Sequence, residues 1–256
     1  MRLDVYLVEH GLAKSRNYAS DLIKGALVSV NGKITRKPSF DVTDGTVKVE
    51  GDLYSFVGRG GVKLDFALDS FGIDVTGMTA IDFGASTGGF TDCLLQRGAK
   101  LVFAVDSGHG QLDPRIACDK RVVNMEGVNA RTIDRSLITA ECDIAVCDVS
   151  FISQTLFAKN VACVLSDGGL FVTLIKPQFE CGREALGKGG IVKDKKYHNI
   201  AVRGVIDSAS RHGLGCEGIV RSPVTGKDGN TEFLAYFKKG SRGTVTDDVI
   251  KEVLLC

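Results

Sequence analysis

Short apolar runs, separated by loops and amphipathic segments, recur along the chain from residue 79 onward. Five of these runs have the length of a buried strand, and they cover residues 79–83, 101–106, 121–124, 143–148 and 170–176. A helix is predicted from about 195 to 212, and segments 214–221 and 231–238 are predicted to pair as an antiparallel hairpin. This alternation predicts an α/β fold: a mostly parallel, seven-stranded sheet of the Rossmann type with an antiparallel last strand.

The first 50 residues follow a different pattern, which predicts a small α+β domain. Apolar positions between residues 3 and 12 suit a short helix, and Ser15 is placed to cap a second helix that runs to Lys24. Apolar residues on both sides of the turn Asn31-Gly32 predict a hairpin over residues 27–34.

A glycine-rich linker separates this region from the α/β pattern. Residues 51–62 contain four glycines, and a helix is predicted to begin near Val62. A chain of 256 residues can hold one domain of about 200 residues with a small companion. We therefore divide the chain into domains at 1–58 and 59–256.

Composition narrows the class of protein. Thirty-two basic and 31 acidic residues give a net charge of +1, so any surface for nucleic acid must be local. The eight cysteines lie mostly inside apolar runs and lack metal-ligand spacing, which predicts buried thiols in a reducing compartment and no metal site. There is no N-terminal signal and no apolar run approaching 18 residues. We expect a soluble, cytoplasmic protein that does not enter membranes, with a monomer as the simplest oligomeric state.

Basic residues cluster between residues 14 and 37. Six basic residues and the single acid Asp21 give this stretch a local charge of +5. On composition alone, a solvated helix face and an RNA-binding surface explain the cluster equally well. We take its members as candidate RNA-binding residues, together with one arginine of the linker: Lys14, Arg16, Lys24, Lys33, Arg36, Lys37 and Arg59.

The stretch from residue 82 to residue 90 has the pattern D-x-G-x-x-x-G-G between a predicted strand and a predicted helix. A small-residue turn at the N-terminus of a helix can cradle a nucleotide-like cofactor, because glycines carry no obstructing side chain. The spacing differs from the dinucleotide pattern G-x-G-x-x-G, and a turn kept glycine-rich for packing is the alternative. The candidate cofactor residues here are Asp82, Gly84, Ser86, Thr87, Gly88, Gly89 and Phe90.

Polar residues at the ends of the next strands extend this candidate site, because ligands bind at the carboxyl ends of parallel strands. Asp106 ends the second strand, where an acid can bind ribose hydroxyls, although a helix cap would also explain it. Glu126 and Asn129 follow the third strand and could border an adenine.

Four charged residues form a second constellation. Asp148 ends the fourth predicted strand, Lys176 ends the fifth, Lys63 opens the helix before the sheet, and Glu232 lies on the last strand. Each residue alone would be explained as a cap or a solvated side chain. Together they lie at positions that this fold would bring to one pocket, with Asp148 also bordering the cofactor.

Longer motifs carry a resemblance to known families. The pattern R-L-D, the later S-R and G-x-x-V-x-V-N-G-K resemble the S-four RNA-binding domain over about residues 1–50. The rest of the chain resembles the FtsJ-like domain of the TlyA family, which has been named both haemolysin and ribosomal RNA methyltransferase. The phrases that carry this resemblance are GRGGVKL, GASTGGFTDCLL, GHGQL, DVSFIS and LIKPQFE.

The resemblance implies an enzyme with a Rossmann-like class I methyltransferase sheet. Its cofactor would be S-adenosylmethionine, and its reaction would be 2′-O-methylation of a ribose in rRNA, with cytidine and large-subunit rRNA expected. Lys63, Asp148, Lys176 and Glu232 correspond to the catalytic tetrad of such enzymes. Lys176 is then the candidate base or alkoxide stabiliser, with Asp148 orienting it. No metal is required, and the expected partner is a ribosomal subunit.

Three other functions remain as alternatives. A membrane-active haemolysin would need an insertion segment, which the sequence lacks. A noncatalytic ribosome-assembly factor would not need the four charged residues, and a nicotinamide-dependent reductase would need the G-x-G-x-x-G turn. The glycine-rich segment 178–190 is either a lid over the RNA or an ordinary loop.

Overall fold

The structure is a computed structural model that describes residues 1–13, 15–43, 45–51, 55–226 and 229–255. The described residues form two compact units, Met1–Ser55 and Phe56–Cys256. Each unit has its own hydrophobic core. The domain boundary predicted after residue 58 lies inside the second unit.

The first unit is a small α+β fold, as predicted. Its core contains Leu3, Leu7, Leu22 and Val28, and the Ser15 hydroxyl accepts a hydrogen bond from a backbone N–H in the first turn of the second helix. The three-stranded antiparallel sheet has the order β2-β1-β3. The elements are α1 (Leu3–Glu9), α2 (Arg16–Lys24), β1 (Val28–Val30), β2 (Lys33–Ile34) and β3 (Val47–Val49).

The second unit contains a seven-stranded sheet with the order β6-β5-β4-β7-β8-β10-β9. The pairs from β6 to β8 are parallel, whereas β10 runs antiparallel to both β8 and β9. This confirms the predicted Rossmann-like sheet with an antiparallel last strand. The strands are β4 (Thr79–Phe83), β5 (Leu101–Asp106), β6 (Val122–Glu126), β7 (Cys142–Cys147), β8 (Leu165–Ile175), β9 (Leu214–Arg221) and β10 (Phe233–Lys239).

Helices cover both faces of this sheet. Alternate residues of β7 enter opposite cores: Ile144 and Val146 belong to one cluster, Ala145 and Cys147 to the other. Because both faces are buried, the central strands appear in the sequence as continuous apolar runs. The helices are α3 (Gly60–Phe71), α4 (Gly89–Gln96), α5 (Pro114–Ala117), α6 (Ala158–Val164), α7 (Pro177–Glu180), α8 (Lys195–Ser210) and α9 (Asp247–Leu255), with short 3-10 turns between some of them.

Several predicted boundaries were wrong, and three of them affect site residues. Glu126 is the last residue of β6 rather than a residue after it. Lys176 lies just beyond β8, as the cap of the short helix α7. Glu232 precedes β10 instead of lying on it. The strand β8 also begins at Leu165, earlier than predicted. The prediction began too late because the residues after Leu165, Ser-Asp-Gly-Gly, have the composition of a turn.

The prediction of buried cysteines was only partly right. Four of the described cysteines, at 93, 142, 147 and 216, are buried, whereas Cys118 and Cys163 are exposed. Burial raises the pKa of the Cys147 thiol to about 12, so this sulfur stays protonated and packs as a small apolar group.

The glycines of the turn after β4 allow protein segments to approach one another. Gly88 has φ +92°, and a Cβ atom there would lie 2.9 Å from Cδ1 of Leu112. A Cβ on Gly84, which has φ +85°, would lie 3.0 Å from the backbone oxygen of Asp148. A side chain at Gly88 would therefore face Leu112 and Ile116 in the core, and a direct contact of Gly88 with a ligand stays a prediction.

We predict that Gly88→Ala destabilises the protein more than Gly110→Ala. Both glycines have positive φ, but nothing lies within 4 Å of a Cβ placed on Gly110. Gly110→Ala should cost about 1 kcal/mol of unfolding free energy from backbone strain. Gly88→Ala should cost about 1–3 kcal/mol more from overpacking, as measured by urea unfolding. Equal losses would contradict this packing role.

Candidate active site

A cavity of about 830 Å³ opens at the carboxyl ends of β4, β5 and β7. The chain adds β5 and β6 on one side of β4 and then β7 and β8 on the other, so the cavity lies where the strand order reverses. Ligands bind at this switch point in open α/β sheets. The wall includes Gly84, Ser86, Asp106, residues 128–131 and residues 148–153.

A second cavity of about 170 Å³ adjoins the large one. The two cavities share Gly84, Ser86, Asp148 and Ser150 in their walls. Lys176 lines the small cavity but not the large one. Two reactants bound in adjoining cavities would therefore meet beside Asp148 and Lys176.

Asp106 connects the glycine turn to the loop after β5. Its two carboxylate oxygens accept hydrogen bonds from the backbone N–H groups of Ser86, at 2.8 Å, and Gly108, at 2.7 Å. Each carboxylate oxygen has a second lone pair, and Asp106 lines the large cavity. The group is thus oriented to accept further hydrogen bonds from neighbouring hydroxyls, such as those of a ribose.

Four charged side chains meet at the same edge of the sheet. The Lys176 ammonium lies 2.5 Å from Oδ1 of Asp148, and the Lys63 ammonium forms an ion pair with Glu232. Phe233 pairs with Ile175 across the antiparallel strands β10 and β8, so Glu232 and Lys176 leave the sheet side by side. The structure therefore brings together all four residues of the predicted constellation.

Both ion pairs are largely withdrawn from solvent. The side chains of Lys63 and Glu232 are 6% and 3% exposed, and that of Lys176 is 10% exposed. Desolvation of two charges offsets much of the Coulomb attraction, so buried pairs contribute little net stability. Of the two pairs, Lys176–Asp148 lines the small cavity, whereas Lys63 and Glu232 lie behind the cavity walls.

Comparisons with known proteins identify the families that this chain resembles. Residues 56–239 match the model of the FtsJ-like methyltransferase family, and residues 1–48 match the S4 domain. The chain is 40% identical over 240 residues to the 16S/23S rRNA (cytidine-2′-O)-methyltransferase TlyA of Mycobacterium tuberculosis, covering 93% of this chain and 89% of the relative. It is 42% identical over 245 residues to Hemolysin A of Brachyspira hyodysenteriae, covering 93% and 99%. A solved Streptococcus thermophilus protein, described as a hemolysin, has a TM-score of 0.82 at 40% identity, covering 100% of this chain and 94% of that one.

The chain belongs to the FtsJ-like methyltransferase family. The family match covers most of the second unit, which confirms the enzyme class and the resemblance to TlyA proteins predicted from the sequence. The S4 match confirms the type of the first unit. Among the described residues of this methyltransferase, no helix is long and apolar enough to cross a membrane, and no cluster of three or more His, Cys, Asp or Glu side chains is suited to a metal ion.

Most predicted cofactor residues of the methyltransferase line one or both cavities. Asp82, Gly88 and Glu126 do not. Glu126 instead accepts hydrogen bonds from the backbone N–H groups of Gln111 and Leu112, which lower its pKa to about 2. It therefore holds the loop after β5 in place. The residues that do line the cavities are Gly84, Ser86, Thr87, Gly89, Phe90, Asp106, Asn129 and Asp148.

Asp82 lies beneath the glycine turn and is fully buried. Its Oδ2 accepts a hydrogen bond from the Thr91 hydroxyl at 2.7 Å, while its Oδ1 has no hydrogen-bond partner in the described part of the chain. Burial raises the pKa of Asp82 to about 7, and the negative charges of Asp148 and Asp106 add to the effect. A neutral carboxyl group at this position suits its surroundings better than a carboxylate.

In the first unit, a buried carboxylate orients two arginines. Asp4 is 5% exposed and accepts hydrogen bonds from the Arg2 guanidinium, at 3.0 Å, and the Arg16 guanidinium, at 3.1 Å. The hydrogen bond from Arg2 is the main cause that lowers the pKa of Asp4 to about 2. The side chains of Arg2 and Arg16 remain 52% and 61% exposed, so both keep a face toward solvent.

The other predicted RNA-binding residues have varied positions. Lys24, Lys33, Arg36 and Lys37 are exposed on the first unit. Arg59 is half-buried at the N-terminus of α3 in the second unit. The prediction for Lys14 lies outside the described residues.

Sequence reasoning missed several residues of the cavity walls, among them Ser150, Phe151 and Arg131. The Ser150 hydroxyl accepts a hydrogen bond from Lys176, Phe151 is 92% exposed with φ +65°, and Arg131 lies in a 3-10 turn that follows β6. The sequence does contain a signal for Phe151, because an aromatic residue shortly after a strand-end acid, in a polar loop, indicates an exposed binding residue. Asp4 was missed because its burial and its contact with Arg16 depend on tertiary structure, although Arg2 lies only two residues away.

We predict that Asp82→Asn removes a pH dependence from the stability of the methyltransferase. Because the folded protein raises the pKa of Asp82 to about 7, the stabilising contribution of the neutral group is present below about pH 4. It is lost as pH rises through about 7. Between pH 5 and pH 8, the unfolding free energy of the parent should fall relative to Asp82→Asn, by an amount on the order of a few kcal/mol.

Urea unfolding at pH 5 and pH 8 measures this difference. Asp74→Asn is the control, because the exposed Asp74 has a lowered pKa, caused mainly by its hydrogen bond with the Thr76 side chain. Its contribution is therefore constant above about pH 4. Parallel pH curves for the parent and Asp82→Asn would contradict the neutral form of Asp82.

Proposed function

We propose that the protein transfers a methyl group from S-adenosylmethionine to the 2′-hydroxyl of a cytidine in ribosomal RNA, with large-subunit rRNA as the first expected substrate. The observation that carries the proposal is the Lys176–Asp148 pair at the junction of the two cavities. The relative from Mycobacterium tuberculosis, named for cytidine methylation in 16S and 23S rRNA, supports a cytidine of rRNA as the substrate.

The large cavity suits a nucleoside cofactor. The oriented carboxylate of Asp106 would accept hydrogen bonds from the ribose hydroxyls, and Asn129 lies where it could border the base. The backbone of Gly84, Ser86 and Gly89 would face the rest of the ligand. When bound, S-adenosylmethionine supplies a methyl group already activated by the positive sulfur.

The small cavity suits the acceptor ribose, because Lys176 and Asp148 line it. A ribose hydroxyl is a weak nucleophile near neutral pH, so the protein must help remove its proton or stabilise the oxyanion, and must hold the oxygen in line with the methyl group. We assign the contact with this oxygen to Lys176, and to Asp148 the role of holding the Lys176 ammonium at the cavity. Lys63, which is paired with Glu232, is the second lysine of the proposed catalytic group.

The acceptor nucleotide would also meet Phe151 at the rim of the large cavity. This side chain is 92% exposed, and its ring centroid lies 5.1 Å from that of Phe179. Exposed aromatic rings next to a catalytic cavity suit the stacking of an unpaired base. We therefore propose that Phe151 contacts a base close to the target ribose.

The first unit would supply affinity for folded rRNA in a ribosomal subunit. Exposed Lys24, Lys33, Arg36 and Lys37 and the outer face of Arg16 would contact phosphates, which adds affinity that decreases with salt. In this proposal, residues 1–58 bind RNA and residues 59–256 carry out methyl transfer. Arg59, at the start of α3, would contact the RNA close to the reacting ribose.

We predict that a cell lacking this protein lacks a ribose methylation that the parent gene restores. Mapping of 2′-O-methyl groups on both rRNAs, in cells complemented with the parent or with Lys176→Ala, identifies the nucleotide. Lys176→Ala should restore no methylation although the protein is present. Identical maps with and without the gene would refute the proposed function.

The Lys176→Arg variant of the purified protein distinguishes two roles for Lys176, removal of the proton and stabilisation of negative charge. A guanidinium stays protonated near neutral pH and cannot act as a base. If Lys176 removes the proton, single-turnover methylation should fall by roughly 100-fold or more. If Lys176 stabilises negative charge, Lys176→Arg should retain much more activity than Lys176→Ala.

We predict that Lys24→Ala and Lys33→Ala weaken RNA binding through lost phosphate contacts. Each lost contact should reduce the slope of log K against log salt by about 0.7–0.9, while S-adenosylmethionine affinity stays unchanged. Lys100→Ala is the control, because Lys100 is exposed before β5, at the edge of the sheet opposite the cavities. Parental salt slopes in both variants would identify the basic cluster as a solvated surface.

A further inference from the structure

Ser150 is the polar residue that touches the proposed catalytic lysine but has no place in the predicted constellation. Its hydroxyl oxygen accepts a hydrogen bond from the Lys176 ammonium at 2.9 Å. Ser150 also lines both cavities, so this hydrogen bond lies at the point where they join.

The two partners of Lys176 differ in how they constrain it. Asp148 Oδ1 lies 2.5 Å from Nζ, yet this oxygen has no aligned hydrogen-bond donor among the described residues. The contact is an ion pair, and the Coulomb part of its attraction depends on distance more than on direction. The hydrogen bond to Ser150 depends strongly on angle. Asp148 can hold the charge near the cavity, but Ser150 sets the direction in which the ammonium points.

An ammonium group has three N–H donors and rotates about its bond to the side chain. With one donor fixed on Ser150, the other two have defined directions. The ring of Phe179 lies further away, with 5.8 Å between Nζ and the ring centroid. Because Lys176 lines the small cavity, a fixed ammonium can present the same atom to an acceptor oxygen in every encounter.

The turn that carries Ser150 is anchored at both ends. At its start, the backbone N–H of Asp148 donates to the Phe83 oxygen at 3.1 Å. At its end, the backbone N–H of Gln154 donates to Glu180 at 3.0 Å, and its side-chain amide donates to the Leu174 oxygen at 2.7 Å. The sheet and α7 thus hold the backbone on both sides of Ser150.

We propose that Ser150 is a positioning residue for methyl transfer, which acts by orienting the Lys176 ammonium toward the acceptor oxygen. The proposal rests on the proposed function, because it assigns Ser150 to the step in which Lys176 contacts the ribose hydroxyl. Small displacements of a catalytic group can lower a rate by about 100-fold. Since Asp148 still holds the charge, we expect a smaller loss when Ser150 is changed.

The test is single-turnover methylation of rRNA at saturating S-adenosylmethionine and RNA. Ser150→Ala should lower the rate roughly 10-fold, and Ser150→Cys should also lower it, because a thiol is a weak acceptor. Ser150→Thr keeps the hydroxyl and should recover most of the rate. Ser136→Ala is the control, since that exposed serine also bonds a charged group, the Asp134 carboxylate, at 2.6 Å.

Three further measurements show whether Ser150 acts through Lys176. The dissociation constants for cofactor and RNA, and the thermal midpoint, should match those of the parent in all Ser150 variants. In a Lys176→Ala background, Ser150→Ala should cause no further loss of rate. A parental rate for Ser150→Ala, an equal loss in both backgrounds, or a loss explained by weaker binding would each overturn the proposal. If the parent itself methylates no rRNA, the proposed function fails instead.

Discussion

The need to keep charges paired in a nearly dry environment governs the architecture around the two cavities. Lys63 and Lys176 each have a carboxylate partner there, Glu232 and Asp148, and removal of either partner would leave a buried group unpaired at a large desolvation cost. The sheet meets this requirement, because β7 and β8 are parallel neighbours and β10 returns beside β8. Three of the four residues follow or precede these strands directly, and the helix α3 brings the fourth.

Close approach of backbone segments allows α3 to reach this position. A Cβ atom on Gly58 would lie 2.9 Å from the Thr87 hydroxyl, and one on Gly60 would lie 3.4 Å from Oδ2 of Asp148. The contact at Gly60 has ordinary van der Waals length, but a Cβ atom on Gly89 would lie 3.1 Å from the backbone nitrogen of Gly61. Side chains at Gly58 and Gly89 would therefore crowd the contact between the start of α3 and the glycine turn. The glycines on both sides therefore have a packing function that precedes any contact with a ligand, and Lys63 follows one turn later along the helix.

The sequence was sufficient to predict the sheet, because strands buried on both faces leave continuous apolar runs. It was also sufficient to predict that Lys176 and Asp148 meet, since residues at the carboxyl ends of neighbouring parallel strands converge. It was insufficient wherever a side chain's role depends on a distant partner. Glu126 holds a loop and Gly88 faces the core, as only their contacts reveal. The ion pairs of Asp4 likewise depend on how α1 and α2 pack.

The position of β10 between β8 and β9 has a consequence for the order of folding. Glu232 and its partner Lys63 are separated by 169 positions in the chain, and β8 gains its neighbour on that side only when β10 inserts. Closing a loop of that length carries an entropic cost, and contacts of large sequence separation slow folding. A partly folded chain in which β10 has not yet inserted would have an open edge on β8 and would lack the partner of Lys63. Completion of the sheet and formation of the Lys63–Glu232 pair are, on this topology, a single event.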